Sequence, residues 1–126
     1  MTEVILRARD LVIGYETPLT QALNFHVGPG EILVVLGESG CGKSTLLSTL
    51  SGITQPISGE ILLGEKCLSA VPIHRRNIGL VFQDPLLFPH LSLLGNIGYS
   101  LRAQGKTKKE ARERAAELLE WVGLSD

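Results

Sequence analysis

Several features that would point to particular classes of protein are scarce in this 126-residue sequence. Its two cysteines, Cys41 and Cys67, are too few for a disulfide framework and have no metal-type spacing. The longest purely apolar run, 32–36, is too short to span a bilayer, and the first residues do not resemble a signal peptide. The sequence therefore predicts a soluble chain in a reducing cytosol.

Charge of one sign is also lacking. The formal net charge is −1, from 12 basic and 13 acidic residues, so no global field would attract nucleic acid or an anionic membrane. We therefore expect no nucleic-acid partner, and any bound anion must be held by local groups. The hydrophobic fraction of 44% and the charged fraction of 20% are typical of a globular domain.

The apolar pattern predicts strands in the first two thirds of the chain. Leu23, Phe25 and Val27 alternate with polar residues, which is typical of a half-buried strand. The run 31–36 (EILVVL) predicts a strand buried on both faces of a parallel sheet, and 61–63 and 78–82 are further strand candidates.

Helices are predicted at 44–51, with Gly52 as the stop, and in the last segment. There, Thr107 and Glu110 form a capping box and Gly123 follows as the stop. An apolar stripe runs along this helix through Ala111, Ala115, Leu118, Leu119 and Val122.

A phosphate-binding loop is the most specific local signal. Gly37, Gly42, Lys43 and Ser44 match the pattern G-x-x-x-x-G-K-[ST], within the stretch GESGCGKST. Glycines let backbone N–H groups approach a triphosphate, Lys43 places a charge on the β- and γ-phosphates, and the Ser44 hydroxyl is a suitable ligand for Mg²⁺. The predicted nucleotide-binding residues of the loop are Gly37, Glu38, Ser39, Gly40, Cys41, Gly42, Lys43, Ser44 and Thr45.

Cys41 occupies a variable position of this pattern, where the backbone does the binding. One interpretation is that it is a small filler residue. The alternative is that Lys43 and the helix N-terminus make its thiol reactive towards alkylating agents.

The loop alone does not choose among GTPases, small-molecule kinases and motor-type ATPases. No N-K-x-D sequence for guanine is found, which argues against a GTPase. Arg75 and Arg76 give weak support for the mobile arginine-rich lid of a kinase.

Four segments together resemble the ATP-binding cassette (ABC) family, and most of all the ATPase subunits of bacterial importers. They are Tyr15, GESGCGKSTLL at 37–47, SGITQPISGEILLG at 51–64 and NIGLVFQDPLLFPHLSLLGNI at 77–97. The resemblance implies an α/β P-loop NTPase with an antiparallel β subdomain, the start of an α-helical subdomain and an incomplete sheet. It implies a nucleotide-binding core at 1–85 and the beginning of the helical subdomain at 86–126.

The resemblance also implies site residues and partners. Tyr15 would stack on adenine, Lys43 and Gln83 would be catalytic, and Ser44 and Gln83 would contact Mg²⁺ beside ATP.

The implied partners are a transmembrane permease, a second ATPase subunit in a head-to-tail dimer and, indirectly, a solute-binding protein. The implied place is the cytoplasmic face of the inner membrane. The permease-docking candidates are Phe88, Pro89, His90 and Leu91.

The signature sequence, the Walker B strand with its catalytic Glu and the switch histidine of the family are not found in the sequence. We therefore expect an N-terminal portion of an importer ATPase that is inactive and marginally stable alone. A truncated nucleotide-binding module without catalysis and a soluble, non-transport ABC-type ATPase are the alternatives.

Overall fold

The computed structural model describes residues 4–84 and 86–124. The chain divides into two compact units, Met1–Val81 and Phe82–Asp126, and each is described by itself. The predicted domain boundary lies between 85 and 86, and the assignment of a nucleotide-binding core and a helical subdomain to its two sides stays a prediction. Among the described residues, no helix is both long and apolar enough to cross a membrane.

The first unit contains a four-stranded antiparallel sheet in the order β2-β1-β3-β4. Its strands are β1 (Leu6–Val12), β2 (Leu23–Val27), β3 (Ser58–Leu63) and β4 (Lys66–Cys67). The predicted strands at Leu23 to Val27 and at 61–63 are therefore confirmed. Ala8 lies between Phe25 and Ile61 on the inner face, whereas Arg9 on the outer face forms an ion pair with Glu60 at 3.3 Å.

A bulge in β1 at Asp10 changes which side chains face the core. Asp10 has a φ of 48°, its N–H donates to Asn24 Oδ1 at 3.0 Å, and Asn24 Nδ2 donates to Asp10 Oδ1 at 3.2 Å. The extra residue shifts the alternation, so Leu11 shares the buried face of Ala8 although it lies three positions later.

Helix α1 (Lys43–Ser51) packs on the inner face of this sheet. Leu46 is buried in a core with residues of β1 and β3, and Gly52 ends the helix with a φ of 100°, as predicted. The core consists of Ala8, Leu11, Ile13, Leu46, Ile61 and Leu68. A short 3₁₀ turn, Ile73–Arg75, follows later in the same unit.

The second unit is a pair of helices, α2 (Leu93–Ala103) and α3 (Lys108–Trp121). The Thr107 hydroxyl accepts a hydrogen bond from the Glu110 N–H at 3.1 Å, which confirms the predicted start of α3. The helices approach closely at Gly98, where a Cβ atom would lie 3.2 Å from the Ala111 carbonyl oxygen. Ala111, Ala115 and Leu119 of the predicted stripe are buried and Leu118 is half-buried, but Val122 is exposed.

The strands predicted at 31–36 and 78–82 are not formed. Ile32 is 87% exposed and Leu36 is 86% exposed, although the run 31–36 predicted burial on both faces, and Val81 of the strand candidate 78–82 is 94% exposed. A strand exists only when a neighbouring strand pairs with its N–H and C=O groups, and the described residues provide no such neighbour for either run. The prediction was wrong for these segments because an apolar run indicates burial but does not show that a neighbouring strand is present to pair with it.

Candidate functional site

The phosphate loop connects 31–36 to α1, and its conformation favours glycine at three positions for two different reasons. Gly40 and Gly42 have φ values of 83° and 107°, in the left-handed region that side chains rarely adopt. At Gly37, a Cβ atom would lie 2.5 Å from Cys41 Sγ. A larger residue would introduce backbone strain at Gly40 and Gly42 and would meet the Cys41 side chain at Gly37.

Lys43 is the first residue of α1, and its side chain curls back over this loop. Its ammonium group donates to the carbonyl oxygen of Gly37 and, at 2.8 Å, to that of Glu38. Cys41 Sγ is exposed and lies 3.8 Å from Lys43 Nζ. The arrangement concentrates positive charge at the loop, and the reactivity of Cys41 stays a prediction.

The N-terminus of α1 adds backbone donors beside this ammonium group. The first N–H groups of a helix lack partners within the helix, and here Gly42 offers no side-chain cap and the first turn has no acidic residue. The Ser44 side chain is exposed, whereas Thr45 is only 9% exposed and can present little more than its N–H. The residues thus fit a phosphate chain, with the Ser44 hydroxyl free to meet Mg²⁺ beside it.

The turn that carries Tyr15 lies against the phosphate loop. Its base is closed by a hydrogen bond from the Leu19 N–H to the Ile13 carbonyl oxygen at 2.8 Å. A Cβ atom on Gly42 would lie 3.6 Å from Ile13 Cδ1 and 3.9 Å from Leu19 Cβ. Tyr15 itself is 70% exposed. The structure therefore brings the predicted adenine-stacking residue and the predicted phosphate-binding residues to one region of the first unit.

Gln83 belongs to the second unit, where it lies at a bend with its side chain exposed. It does not follow a strand, contrary to the sequence prediction, because 78–82 is unpaired. Its roles in catalysis and Mg²⁺ binding stay predictions. Within 4–84 and 86–124, no group of three or more His, Cys, Asp or Glu side chains could hold a metal ion.

Two of the predicted docking residues, Phe88 and His90, belong to an aromatic cluster in the second unit. The Phe88 ring lies 4.6 Å from the Tyr99 ring and 5.7 Å from the His90 ring, measured between centroids. Pro89 and His90 are exposed and Leu91 is half-buried. Their contact with a membrane subunit stays a prediction.

The sequence did not indicate Asn96 or the buried structural role of Arg76. Asn96, on α2, makes hydrogen bonds to Phe88, Leu91 and Ser92. Arg76 is 4% exposed and donates to three backbone carbonyls, which is incompatible with the mobile lid considered for a kinase. Side chains that bind several backbone groups leave little trace in a sequence. The weak signal that exists is an arginine or asparagine within an otherwise apolar or turn-rich segment.

The family model described as ABC transporter matches residues 20–126. This match covers the phosphate loop, both helices of the second unit and the segment with Gln83. The chain belongs to the ABC transporter family. The predicted resemblance is thereby confirmed.

Curated members of the ABC transporter family resemble the chain at moderate identity. It is 46% identical over 102 residues to the Fe(3+) ions import ATP-binding protein FbpC 1 of Rhizobium meliloti (strain 1021), covering 81% of this chain and 29% of that protein. It is 38% identical over 125 residues to the spermidine/putrescine import ATP-binding protein PotA of Legionella pneumophila (strain Paris), covering 98% of this chain and 34% of that protein. The chain thus spans about a third of the length of the curated relatives it matches.

A solved structure of an ABC protein shares the fold. The ATP-binding cassette MJ0796, described as a dimer in a post-hydrolysis state bound to ADP and Pi, superposes with a TM-score of 0.79 at 26% identity. The match covers 91% of this chain and 56% of that one. The predicted fold class, a P-loop ATPase with an antiparallel β part, helices and an incomplete sheet, is confirmed.

Proposed function

We propose that this chain is the ATP-binding portion of an ABC importer ATPase. The observation that carries the proposal is the Lys43 ammonium group held over the Gly37 and Glu38 carbonyls at the uncapped N-terminus of α1. This geometry fits a bound triphosphate, because charge and backbone donors converge on one small region. The names of the importer relatives support the assignment to transport.

The backbone of the loop, Lys43, Ser44 and Tyr15 have different roles in the proposed binding mode. Backbone N–H groups of the loop and of the first turn of α1 hold the phosphates, and Lys43 moves from the carbonyls to the β- and γ-phosphates. The Ser44 hydroxyl would hold Mg²⁺, and the metal would supply positive charge beside the phosphates. Tyr15 stacks on the adenine, consistent with the position of its turn against Gly42.

Hydrolysis belongs to the longer protein in this proposal. Gln83 positions the attacking water, and groups outside this chain complete the site. The longer protein also supplies strands that pair with 31–36 and 78–82, which have apolar side chains exposed here. We expect the 126-residue chain to bind ATP without turning it over.

The proposed partners follow from the same assignment. They are a transmembrane permease that contacts the segment from Phe88 to Leu91, a second ATPase subunit arranged head to tail, and a solute-binding protein that acts indirectly. The protein would then lie at the cytoplasmic face of the inner membrane. The dimeric state described for MJ0796 supports the second partner.

Equilibrium binding of ATP to the chain, with and without Mg²⁺, tests the proposal. Lys43→Ala should weaken ATP binding about tenfold or more, because it removes charge-assisted hydrogen bonds to phosphate. Lys109→Ala, an exposed lysine on α3, is the matched control and should bind as wild type does. Ser44→Ala should reduce the gain in affinity that Mg²⁺ gives. Equal ATP affinity of Lys43→Ala and wild type would refute the site.

A further inference from the structure

The buried Arg76 side chain joins the end of α1 to the turn at 68–76 in the first unit. Its Nε donates to the Val71 carbonyl at 3.0 Å, Nη2 to the Leu68 carbonyl at 3.0 Å and Nη1 to the Leu50 carbonyl at 3.4 Å. Arginine suits this position because its planar guanidinium presents five donors in fixed directions. A charge that is 4% exposed is thus stabilised by carbonyl dipoles.

One of those carbonyls lies at the C-terminal end of α1, the helix that begins with Lys43. The last carbonyls of a helix lack intrahelical partners and carry partial negative charge. Helix α1 has no basic residue of its own in its last turn, so Arg76 supplies the cation from 26 positions away in sequence. The helix has only nine residues, about 13 Å, so a constraint at its end is close to the phosphate loop.

Gly52 makes the contact between Arg76 and this helix end possible. Its φ of 100° lets the chain turn out of α1, and a Cβ atom there would lie 2.8 Å from Arg76 Nε and 2.9 Å from Cζ. The guanidinium therefore packs directly on the backbone of the helix stop. Leu68, whose carbonyl is the second acceptor, is a core residue with 1% exposure, so this end of α1 is attached to the core.

We infer that Arg76 is a positioning residue for the phosphate loop. It fixes the end of α1 to the turn at 68–76 and so sets the position of Lys43 and Ser44 at the beginning of the same helix. The inference rests on the proposed function for the identity of the ligand. The contacts that support it lie within the first unit.

Arg76→Met tests the inference, with Arg75→Met as the matched control. Arg75 is exposed, so the control removes the same charge at the adjacent position. At equal folded fraction, Arg76→Met should raise the Kd for Mg·ATP about tenfold, because Lys43 and Ser44 are no longer held in place and a residue that acts on a site indirectly has effects of about this size. The Kd for adenosine should not change, because adenosine has no phosphate to place. A role limited to stability would instead lower the folded fraction and leave both Kd values of the folded chain unchanged, which would overturn the inference.

Arg76→Lys and amide hydrogen exchange keep the test decisive if Arg76→Met does not fold. A lysine keeps the charge but cannot reach three carbonyls from one nitrogen, so we expect an intermediate Kd for Mg·ATP. Exchange of the α1 amides should accelerate more than exchange of the β1 amides in both Arg76 variants and not in Arg75→Met. Equal exchange in the Arg76 variants and the control would overturn the inference even if wild type bound no nucleotide. Absence of nucleotide binding by wild type would instead refute the proposed function.

Discussion

Asn96 holds both backbone groups of Phe88. Its Oδ1 accepts from the Phe88 N–H at 2.7 Å, and its Nδ2 donates to the Phe88 carbonyl at 3.2 Å. The same amide nitrogen also donates to the carbonyls of Ser92 at 2.9 Å and Leu91 at 3.3 Å. One side chain on α2 therefore fixes the loop that contains the predicted docking residues. All of its hydrogen bonds are to backbone atoms, so they do not depend on the side chains of the loop.

Asn96→Ala should loosen the loop at 88–92 while α3 stays folded. The Phe88 amide loses its acceptor, so its hydrogen exchange should accelerate about tenfold or more relative to the amide of Ala115 on α3. Asn96→Asp should accelerate exchange at Phe88 less than Asn96→Ala does, because a carboxylate still accepts from the Phe88 N–H although it cannot donate to the three carbonyls. Gln104→Ala, which removes an exposed amide at the end of the same helix, serves as the control. Unchanged exchange at Phe88 would contradict the predicted role of Asn96.

Tyr15→Ala should weaken ATP binding and leave the binding of inorganic tripolyphosphate unchanged. The loss of base stacking corresponds to about 1 to 3 kcal/mol of binding free energy. Tyr15→Phe keeps the aromatic face and should bind ATP as wild type does. Equilibrium dialysis with both ligands measures the difference. A parallel loss of tripolyphosphate binding would show that the residue supports the loop and does not contact the base.

Gly59→Ala should destabilise the β-sheet unit more than Gly64→Ala. Both glycines have positive φ values, 85° and 62°, so both substitutions introduce backbone strain. Only at Gly59 would the new Cβ atom lie 2.1 Å from the Asp10 carbonyl oxygen, whereas no atom lies within 4 Å at Gly64. The clash should add about 1 to 3 kcal/mol to the loss of unfolding free energy. Amide exchange in β1 measures this difference. Equal losses of unfolding free energy in the two variants would contradict the prediction and would mean that the backbone at Asp10 moves to make room for the new Cβ atom.

Lysine substitutions at Ile32 and Val81 should reduce self-association of the chain. Both side chains are apolar and largely exposed, on segments that pair with no strand among the described residues. Sedimentation velocity over a range of concentrations should show association of wild type and less of it in the double variant Ile32→Lys/Val81→Lys. Gln55→Lys/Gln104→Lys adds the same charge elsewhere and should associate as wild type does. A wild-type chain that stays monomeric at every concentration would contradict this prediction.

The elements that could be predicted from sequence are those whose causes lie within a few neighbouring residues. The cap of α3 depends on Thr107 and Glu110, and the end of α1 depends on Gly52. The strands at 31–36 and 78–82 could not be judged in this way, since their existence depends on a pairing partner far along the chain. The bulge at Asp10 could not be predicted from sequence either, because it depends on contacts with Asn24 and Gly59 on the neighbouring strands.

The sequence by itself determined the phosphate-loop pattern and the family, because both depend on residue types at fixed spacings. The residues that contact a nucleotide stay a prediction from the same pattern. Only the tertiary structure decided that Arg76 is buried against Leu50, that Asn96 fixes Phe88 and that the strand candidates at 31–36 and 78–82 form no strand. Hydrogen-bond partners distant in sequence leave no periodic pattern, and an apolar run does not show whether a neighbouring strand is present to cover it.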